Sequence, residues 1–479
     1  MRQLSPARRV AAQILGDVRR RDAYARDVLR MSAHMKKIDE RDRALATRLV
    51  LGVTACVGQL DNIIDTHVKK RSSLEPTVRD ALRLSCFELL HLARPAHIAV
   101  SQGVELVASV RPKARKLANA VLRRVAEEDV CVIERARQQL REGLASDLER
   151  AQASGLPEWL VSLWDTSIEH DILDEMCLSQ LEPAPVWVHA QAKARPEHTS
   201  EEALTACGFD PVKEQLVGAY ELRQAAGLAS SGLVASAELV PSDLAAQLVC
   251  AIALPQTNPS GARRMLEIGQ GRGTKSLIML SQAHRCELAI DHVGVDISPA
   301  KVSQATARLK QARLSSRSRS LCLDGRFVAG DTLPELIRGK FDTVFLDVPC
   351  SGTGTMRRHP ETCWSLQAES LDASNPVGLP ALQLQMLKAA SARVKRSGSL
   401  LYATCSVFKE ENDEIIDAFL RSSYGEGFEV EQVSEAPQLK ALSAVELVAS
   451  YEDERGMFRS YPVREGCDGH FCARMVRRR

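Results

Sequence analysis

Through residues 1–130 apolar side chains recur every three or four positions, most regularly over 44–64 and 78–92, with few glycines or prolines between them. That period marks helices that bury one stripe, so the segment reads as all helix. Ser5-Pro6 reads as a cap and a first-turn proline, followed at helical spacing by Val10, Ile14 and Val18. A polar connector, Lys69-Lys70-Arg71-Ser72-Ser73, separates two of the helices. A charged stretch at 134–152 reads as a connecting helix. From 155 to about 230 the pattern is mixed, and Pro157, Pro183, Pro185 and Pro196 punctuate short elements. Periodicity alone goes no further than a generic bundle.

After Ser231 the pattern changes to alternating strands and helices. Met265-Leu266-Glu267-Ile268 is a short apolar strand that runs into the glycine-rich stretch Gly269 to Gly273. A helix from Thr274, a strand near 292–296 and a helix over 299–312 follow. Strands are expected at 341–346 and 399–403, and another just before Gly330-Asp331. Such alternation implies an α/β fold, a mostly parallel sheet with helices on both faces. The turn-rich stretches 255–262, 315–325 and 368–380 are expected to be exposed loops. Three segments result: a helical domain over 1–140, a linker and small mixed subdomain over 141–230, and the α/β domain over 231–479.

Length supports that division, because 479 residues exceed one ordinary core. The net charge of +2 points to no partner, but its distribution does. Residues 1–130 carry 25 Lys and Arg against 15 Asp and Glu. A basic module in a near-neutral chain suits a polyanion, and equally suits a domain that keeps itself soluble. The exposed face of Arg111, Lys113, Arg115, Lys116, Arg123 and Arg124 is the candidate for phosphate contacts. No apolar run reaches the roughly 18 residues that span a bilayer. The 13 cysteines form no CxxC pair, so a reducing, cytoplasmic setting is expected, with neither metal nor membrane.

Candidate chemistry lies in the α/β segment. Glu267-Ile-Gly269-Gln-Gly271-Arg-Gly273 sits between a strand and a helix, where glycines let the backbone approach a nucleotide. Asp296 ends the next strand, 29 positions after Glu267, where an acid suits ribose hydroxyls. An adenosine cofactor fits this pair, and NAD fits the glycine loop as well. Asp331 could accept from an adenine amino group, or be a solvated turn residue. Two further segments are more specific. Phe341-Asp-Thr-Val-Phe-Leu-Asp347-Val-Pro349-Cys350-Ser-Gly352-Thr-Gly354 is followed by Arg357-Arg358-His359-Pro360. Ser399-Leu-Leu-Tyr-Ala-Thr404-Cys405-Ser406 precedes Glu411-Asn412. Both are strands that deliver an acid or a thiol to the edge where open sheets bind ligands.

Cysteines suit one methylation in particular. Carbon 5 of cytosine is a poor nucleophile until a thiolate adds at carbon 6, making an enamine that can attack a sulfonium methyl. An acid near ring nitrogen 3 would stabilise that addition. The carbon 5 proton must then leave so that the thiolate can be expelled. Taken singly, either cysteine reads as a small buried hydrophobe.

At these motifs the chain resembles the RsmB/Sun family of RNA 5-methylcytosine methyltransferases. Leu382-Gln383 and Met386-Leu387 sit where that family has a Leu-Gln-x-x-Ile-Leu helix. Asp42-Arg43, Leu51-Gly52, Arg79 with Leu82-Arg83-Leu84, and Asn119-Ala-Val-Leu-Arg123 are similar to the NusB-like RNA-binding domain fused to the bacterial enzyme. Ser154-Gly-Leu-Pro157-Glu-Trp159-Leu160, Arg459-x-x-Pro462 and Asp468-Gly469-His-Phe471 also match. The resemblance implies a Rossmann-like sheet behind a NusB-like domain, S-adenosylmethionine as cofactor, and 16S ribosomal RNA as substrate; a monomer is expected. It implies Cys405 as nucleophile, Cys350 in release of the methylated base, and Asp347 on the cytosine. Glu267, Gly269, Gly271, Gly273, Lys275, Asp296, Lys301, Asp331 and Asp347 would surround the cofactor, with Lys275 at its methionine end.

Three places depart from the family pattern. Glu267-Ile-Gly269-Gln-Gly-Arg-Gly273-Thr-Lys275 replaces Asp-x-Cys-Ala-x-Pro-Gly-Gly-Lys, His189-Ala-Gln191 replaces Arg-Val-Asn, and no clear Gln-Asp pair appears over 234–243. The altered glycine loop motivates a second hypothesis, an RNA-binding assembly protein that has lost catalysis. A small-molecule or protein methyltransferase is the third, but oxygen or nitrogen methylation needs neither strand-end cysteine.

Overall fold

The computed structural model describes every residue except 1–3, 22, 69–73, 93, 214, 258–260, 331–332 and 465. The expected connector at 69–73, part of the loop at 255–262, and Asp331 lie outside the described residues. The chain divides into two compact units: Met1–Pro183 with Met356–Gln367, and Ala184–Thr355 with Ala368–Arg479. The boundary therefore falls later than the one near 140 read from sequence. Helices Asp147–Ser154, Glu158–Asp165 and His170–Ser179 pack with Val130–Arg141 and belong to the helical unit. Arg150 binds them together, reaching Asp174 at 2.6 Å and Asp165 at 2.8 Å.

In the helical unit, Pro6–Arg21 buries Val10 and Ile14 as their spacing predicts. A bidentate pair, Arg8 with Glu88 at 2.6 and 2.7 Å, ties this helix to Pro76–His91. Gly52, on Glu40–Ala55, lets that helix approach closely: a Cβ there would lie 1.9 Å from a carbon of the buried Phe87 ring. Gly52→Ala is expected to destabilise the protein by about 1–3 kcal/mol through overpacking. An unchanged urea midpoint would contradict this. The unit also holds Met356–Gln367, where Trp364 Nε1 donates to the Ala55 carbonyl at 2.8 Å. Among the described residues no single helix is long and apolar enough to cross a membrane.

The second unit opens with a small antiparallel sheet of order β2-β3-β1-β4: β1 (Trp187–Ala190), β2 (Pro211–Lys213), β3 (Ala219–Leu222) and β4 (Leu239–Pro241). The main sheet comprises β5 (Arg263–Ile268), β6 (Ile290–Asp296), β7 (Ser318–Cys322), β8 (Phe341–Asp347), β9 (Val394–Thr404), β10 (Phe428–Glu431), β11 (Phe458–Arg459) and β12 (Phe471–Arg477). Its order is β10-β12-β9-β8-β5-β6-β7, with β11 paired to β12. From β9 to β7 the strands are parallel, while β12 and β10 return antiparallel. The strand order reverses between β5 and β8, which opens a crevice beyond their carboxyl ends.

Two local expectations fail here. Residues 318–322 form an edge strand where a loop was expected, pairing from His292↔Ser318 to Asp296↔Cys322. Their Ser-Arg-Ser-Leu-Cys pattern lacks a buried face's apolar run, so backbone pairing with β6 decides the conformation. No strand precedes Gly330-Asp331; Gly325–Phe327 is a single 3₁₀ turn begun by the Asp324 carboxylate, which accepts from Arg326 N at 2.9 Å.

Candidate active site

The crevice collects residues that are far apart in sequence. Gly269 ends β5 at φ 83°, and a Cβ on it would come within 2.0 Å of the Asp347 carbonyl at the end of β8. Only glycine lets the two strand ends close that gap. A Cβ on Gly273 would come within 3.0 Å of Ala305, whereas one on Gly271 would meet nothing closer than 4.0 Å. The open face at Gly271 is where a nucleotide can approach backbone. Asp296 closes β6 beside it, accepting from Gly271 N at 2.9 Å and Ser298 N at 2.8 Å. Each carboxylate oxygen keeps acceptor capacity for a ribose hydroxyl.

Lys275, in the first turn of Thr274–Arg285, donates to Asp347 Oδ2 at 2.6 Å. Burial opposes its charge, but Asp347, with Cys405 and Cys250, outweighs burial and raises its pKa. The ammonium therefore stays charged. Cys350 Sγ and Cys405 Sγ stand 3.2 Å apart, a thiol contact well beyond the ~2.05 Å of a disulfide. Cys405 N also donates to Cys350 Sγ at 3.3 Å. The hydrogen bond to Cys405, burial, and the charges of Cys405 and Glu411 push the Cys350 thiol well up, so it keeps its proton.

Glu411 holds the Cys350 loop from behind. This fully buried carboxylate accepts from Ser351 N at 2.9 Å, Ser351 Oγ at 2.5 Å and Gln383 Nε2 at 2.8 Å. Gln383, on Leu379–Ser391, also donates to the Pro349 carbonyl at 3.0 Å. Asn412 steadies the second thiol's turn, accepting from Thr404 Oγ1 at 2.6 Å and donating to Ser406 O at 3.0 Å.

Other expected site residues sit elsewhere. Glu267 is buried within the sheet, paired with Ser276 and with His292 Nε2 at 2.9 Å, and braces the glycine loop from below. Lys301 is exposed in the first turn of Pro299–Gln311. His189 and Gln191 are buried. His189 bonds Ser281 at 2.8 Å and Gln247 at 3.2 Å, and burial together with Arg285 lowers its pKa to about 3. Gln191 Nε2 donates to the Ala312 carbonyl at 3.2 Å, so both residues fasten the small sheet to the helices of the main one. Asp243 caps Leu244–Ile252 and accepts from Asp468 N at 2.9 Å. The partners of Glu411 lie 28 and 60 positions away and Asp468 lies 225 from Asp243, so only the helix cap of Asp243 is a local feature of the sequence.

Comparison with known proteins matches residues 257–476 to the family described as 16S rRNA methyltransferase RsmB/F, and residues 5–127 to the NusB family. Among curated proteins, the chain is similar to Ribosomal RNA small subunit methyltransferase B of Klebsiella pneumoniae, 26% identical over 93% of this chain and 92% of the relative. The protein of that name from Salmonella newport is 28% identical over 88% and 91%. Among solved structures, PH0851 gives a TM-score of 0.73 at 19% identity, covering 99% of both chains. A methyltransferase homolog protein from Pyrococcus horikoshii gives 0.52 at 14%, covering 69% of this chain and 98% of that one. These two likenesses concern the fold. The open glycine cradle, the Asp296 carboxylate and the Lys275 ammonium fit S-adenosylmethionine: nucleotide against backbone, ribose on the acid, methionine end by the cation. Residues 257–476 thus belong to the RsmB/F family of S-adenosylmethionine-dependent RNA methyltransferases, and residues 5–127 to the NusB family.

Proposed function

We propose that this enzyme methylates carbon 5 of a cytosine in small-subunit ribosomal RNA through a covalent bond between Cys405 and carbon 6. The observation that carries this reading is the pair of thiols 3.2 Å apart beyond adjacent parallel strands, beside the Lys275–Asp347 pair. S-adenosylmethionine supplies the methyl as a sulfonium. The rest is work for the protein's side chains. The Lys275 ammonium, held by Asp347 at 2.6 Å, supplies a positive charge in the crevice where Cys405 would act. Asp347, at the end of β8, holds the edge of the cytosine ring in this reading as charge develops on it. Cys350 keeps its proton and can donate it toward the sulfur that leaves. Glu267 supports the glycine loop through Ser276 and His292.

Substrate choice draws on the helical unit. Arg111, Lys113, Arg115, Lys116, Arg123 and Arg124 are all exposed there. Arg111 pairs with Glu75 and Arg115 with Glu105, at 3.0 and 2.7 Å. Lys113, Lys116, Arg123 and Arg124 are the stronger candidates for phosphate contacts. The test is to incubate the protein with methyl-labelled cofactor and unmethylated small- or large-subunit RNA, then digest to nucleosides. Label in 5-methylcytidine from small-subunit RNA alone is expected. Tight RNA binding without cofactor binding would instead identify an assembly protein.

A further inference from the structure

One buried polar group at the catalytic edge has no part in the steps above. His470 directly precedes β12, whose register with β9 ends at Phe471↔Thr404. The next residue beyond that pair on β9's side is Cys405. Because β12 runs antiparallel, its beginning arrives at the edge where β8 and β9 end. The residue is pinned there. His470 N donates to Ser460 Oγ at 3.0 Å, and Ser460 N donates to the His470 carbonyl at 2.9 Å. Gly469 lies against Gly354, donating to its carbonyl at 2.8 Å, and a Cβ on Gly354 would come within 2.0 Å of Gly469 O. Gly354 N in turn donates to the Cys405 carbonyl at 2.9 Å. The backbone at His470 is thus tied to the loop that follows Cys350 and, through Gly354, to Cys405.

His470 is 5% exposed, and its Nδ1 is buried without a hydrogen-bond partner. Such a vacancy in a folded protein is uncommon, and a substrate that fills it removes the penalty. Lys275, Asp347, Asp243 and the Asp468 carbonyl are the charged and polar groups that act on the ring. Burial and then Lys275 lower its pKa to about 4, against the two carboxylates and the carbonyl. At neutral pH the ring is uncharged and can accept a proton, while the Cys350 thiol, already protonated, cannot.

We propose that His470 is the base that removes the carbon 5 proton from the methylated adduct. The role rests on the covalent route proposed above. When sulfur and methyl add to opposite faces of the ring, the remaining carbon 5 hydrogen lies on the sulfur's face, the side on which a neighbour of Cys405 can reach it. The carbon 5–hydrogen bond breaks and its proton goes to the imidazole. Its electron pair forms the 5,6 double bond. The carbon 6–sulfur bond breaks, its pair stays on Cys405, and the Cys350 S–H steadies that thiolate. The imidazolium, beside Asp347 and Asp243, then gives the proton to water.

The experiment uses RNA tritiated at cytosine carbon 5, so tritium in water reports proton removal, while labelled cofactor reports methyl transfer separately. With His470→Gln and His470→Ala, adduct formation and methyl transfer into it are expected to persist. Tritium release should slow about 100-fold or more, and methylated adduct should accumulate. Imidazole added to His470→Ala should restore release, whereas pyrazole, of the same shape but far less basic, should not. A merely structural histidine would not respond in that way. Release at the wild-type rate in both variants, or a loss that imidazole does not restore, would overturn the proposal. A wild type that forms neither adduct nor labelled cytosine would instead overturn the covalent route itself.

Discussion

Replacing Cys405 with alanine is expected to abolish methyl transfer, by about a thousandfold or more, while replacing Cys350 with alanine should trap the RNA on the protein. The two thiols touch, yet their surroundings differ. Cys405 follows directly on β9, in the crevice that also holds the Lys275–Asp347 pair. Cys350 sits on the loop after β8, accepts from Cys405 N, and retains its proton. Without Cys405 the ring is never activated. Without Cys350 addition and methylation can proceed, but the departing sulfur loses the nearest proton donor, and the adduct survives denaturing electrophoresis. Labelled RNA and cofactor on such a gel distinguish the variants in one lane each. Identical behaviour of the two would refute this division of labour.

Glu411→Ala is expected to be the most damaging change away from the reacting atoms. It leaves Ser351 N without its acceptor, while Ser351 Oγ keeps Ser406 Oγ at 3.1 Å and Gln383 Nε2 keeps the Pro349 carbonyl at 3.0 Å. One stranded buried donor costs about 1–3 kcal/mol, so a loss of that size is expected, relaxation of the loop recovering part. Glu411→Gln should be intermediate, since one oxygen becomes an amide that faces donors. Urea unfolding measures the stability. Calorimetric titration with S-adenosylmethionine separates a displaced Cys350 loop from a lost cofactor site, because the cradle after β5 does not involve Glu411. Wild-type stability in Glu411→Ala would show that water replaces the carboxylate.

Much of the catalytic framework was legible before any coordinates. β5, β8 and the latter part of β9 are apolar runs that stop at Gly269, Asp347 and Cys405, and a run that ends on glycine, acid or thiol announces both a buried strand and its exposed tip. β7 and the small sheet were not legible, because short strands with polar or mixed faces form only where a neighbour offers hydrogen bonds. The bracing contacts of Glu267 with His292 and Ser276 were not legible for a related reason, since those partners come from the next strand and the following helix.

The sequence by itself determined the chemistry available: two thiols and an acid at strand ends, a nucleotide loop, and a basic helical segment ahead of them. It could do so because strand period and turn chemistry are local. The tertiary structure alone decided which groups act on one another. Sheet order brought Cys350 to Cys405 across 55 positions and Lys275 to Asp347 across 72, and an antiparallel return carried His470 to the same edge. Those adjacencies arise from hydrogen bonding between strands distant along the chain, and no local pattern of side chains encodes them.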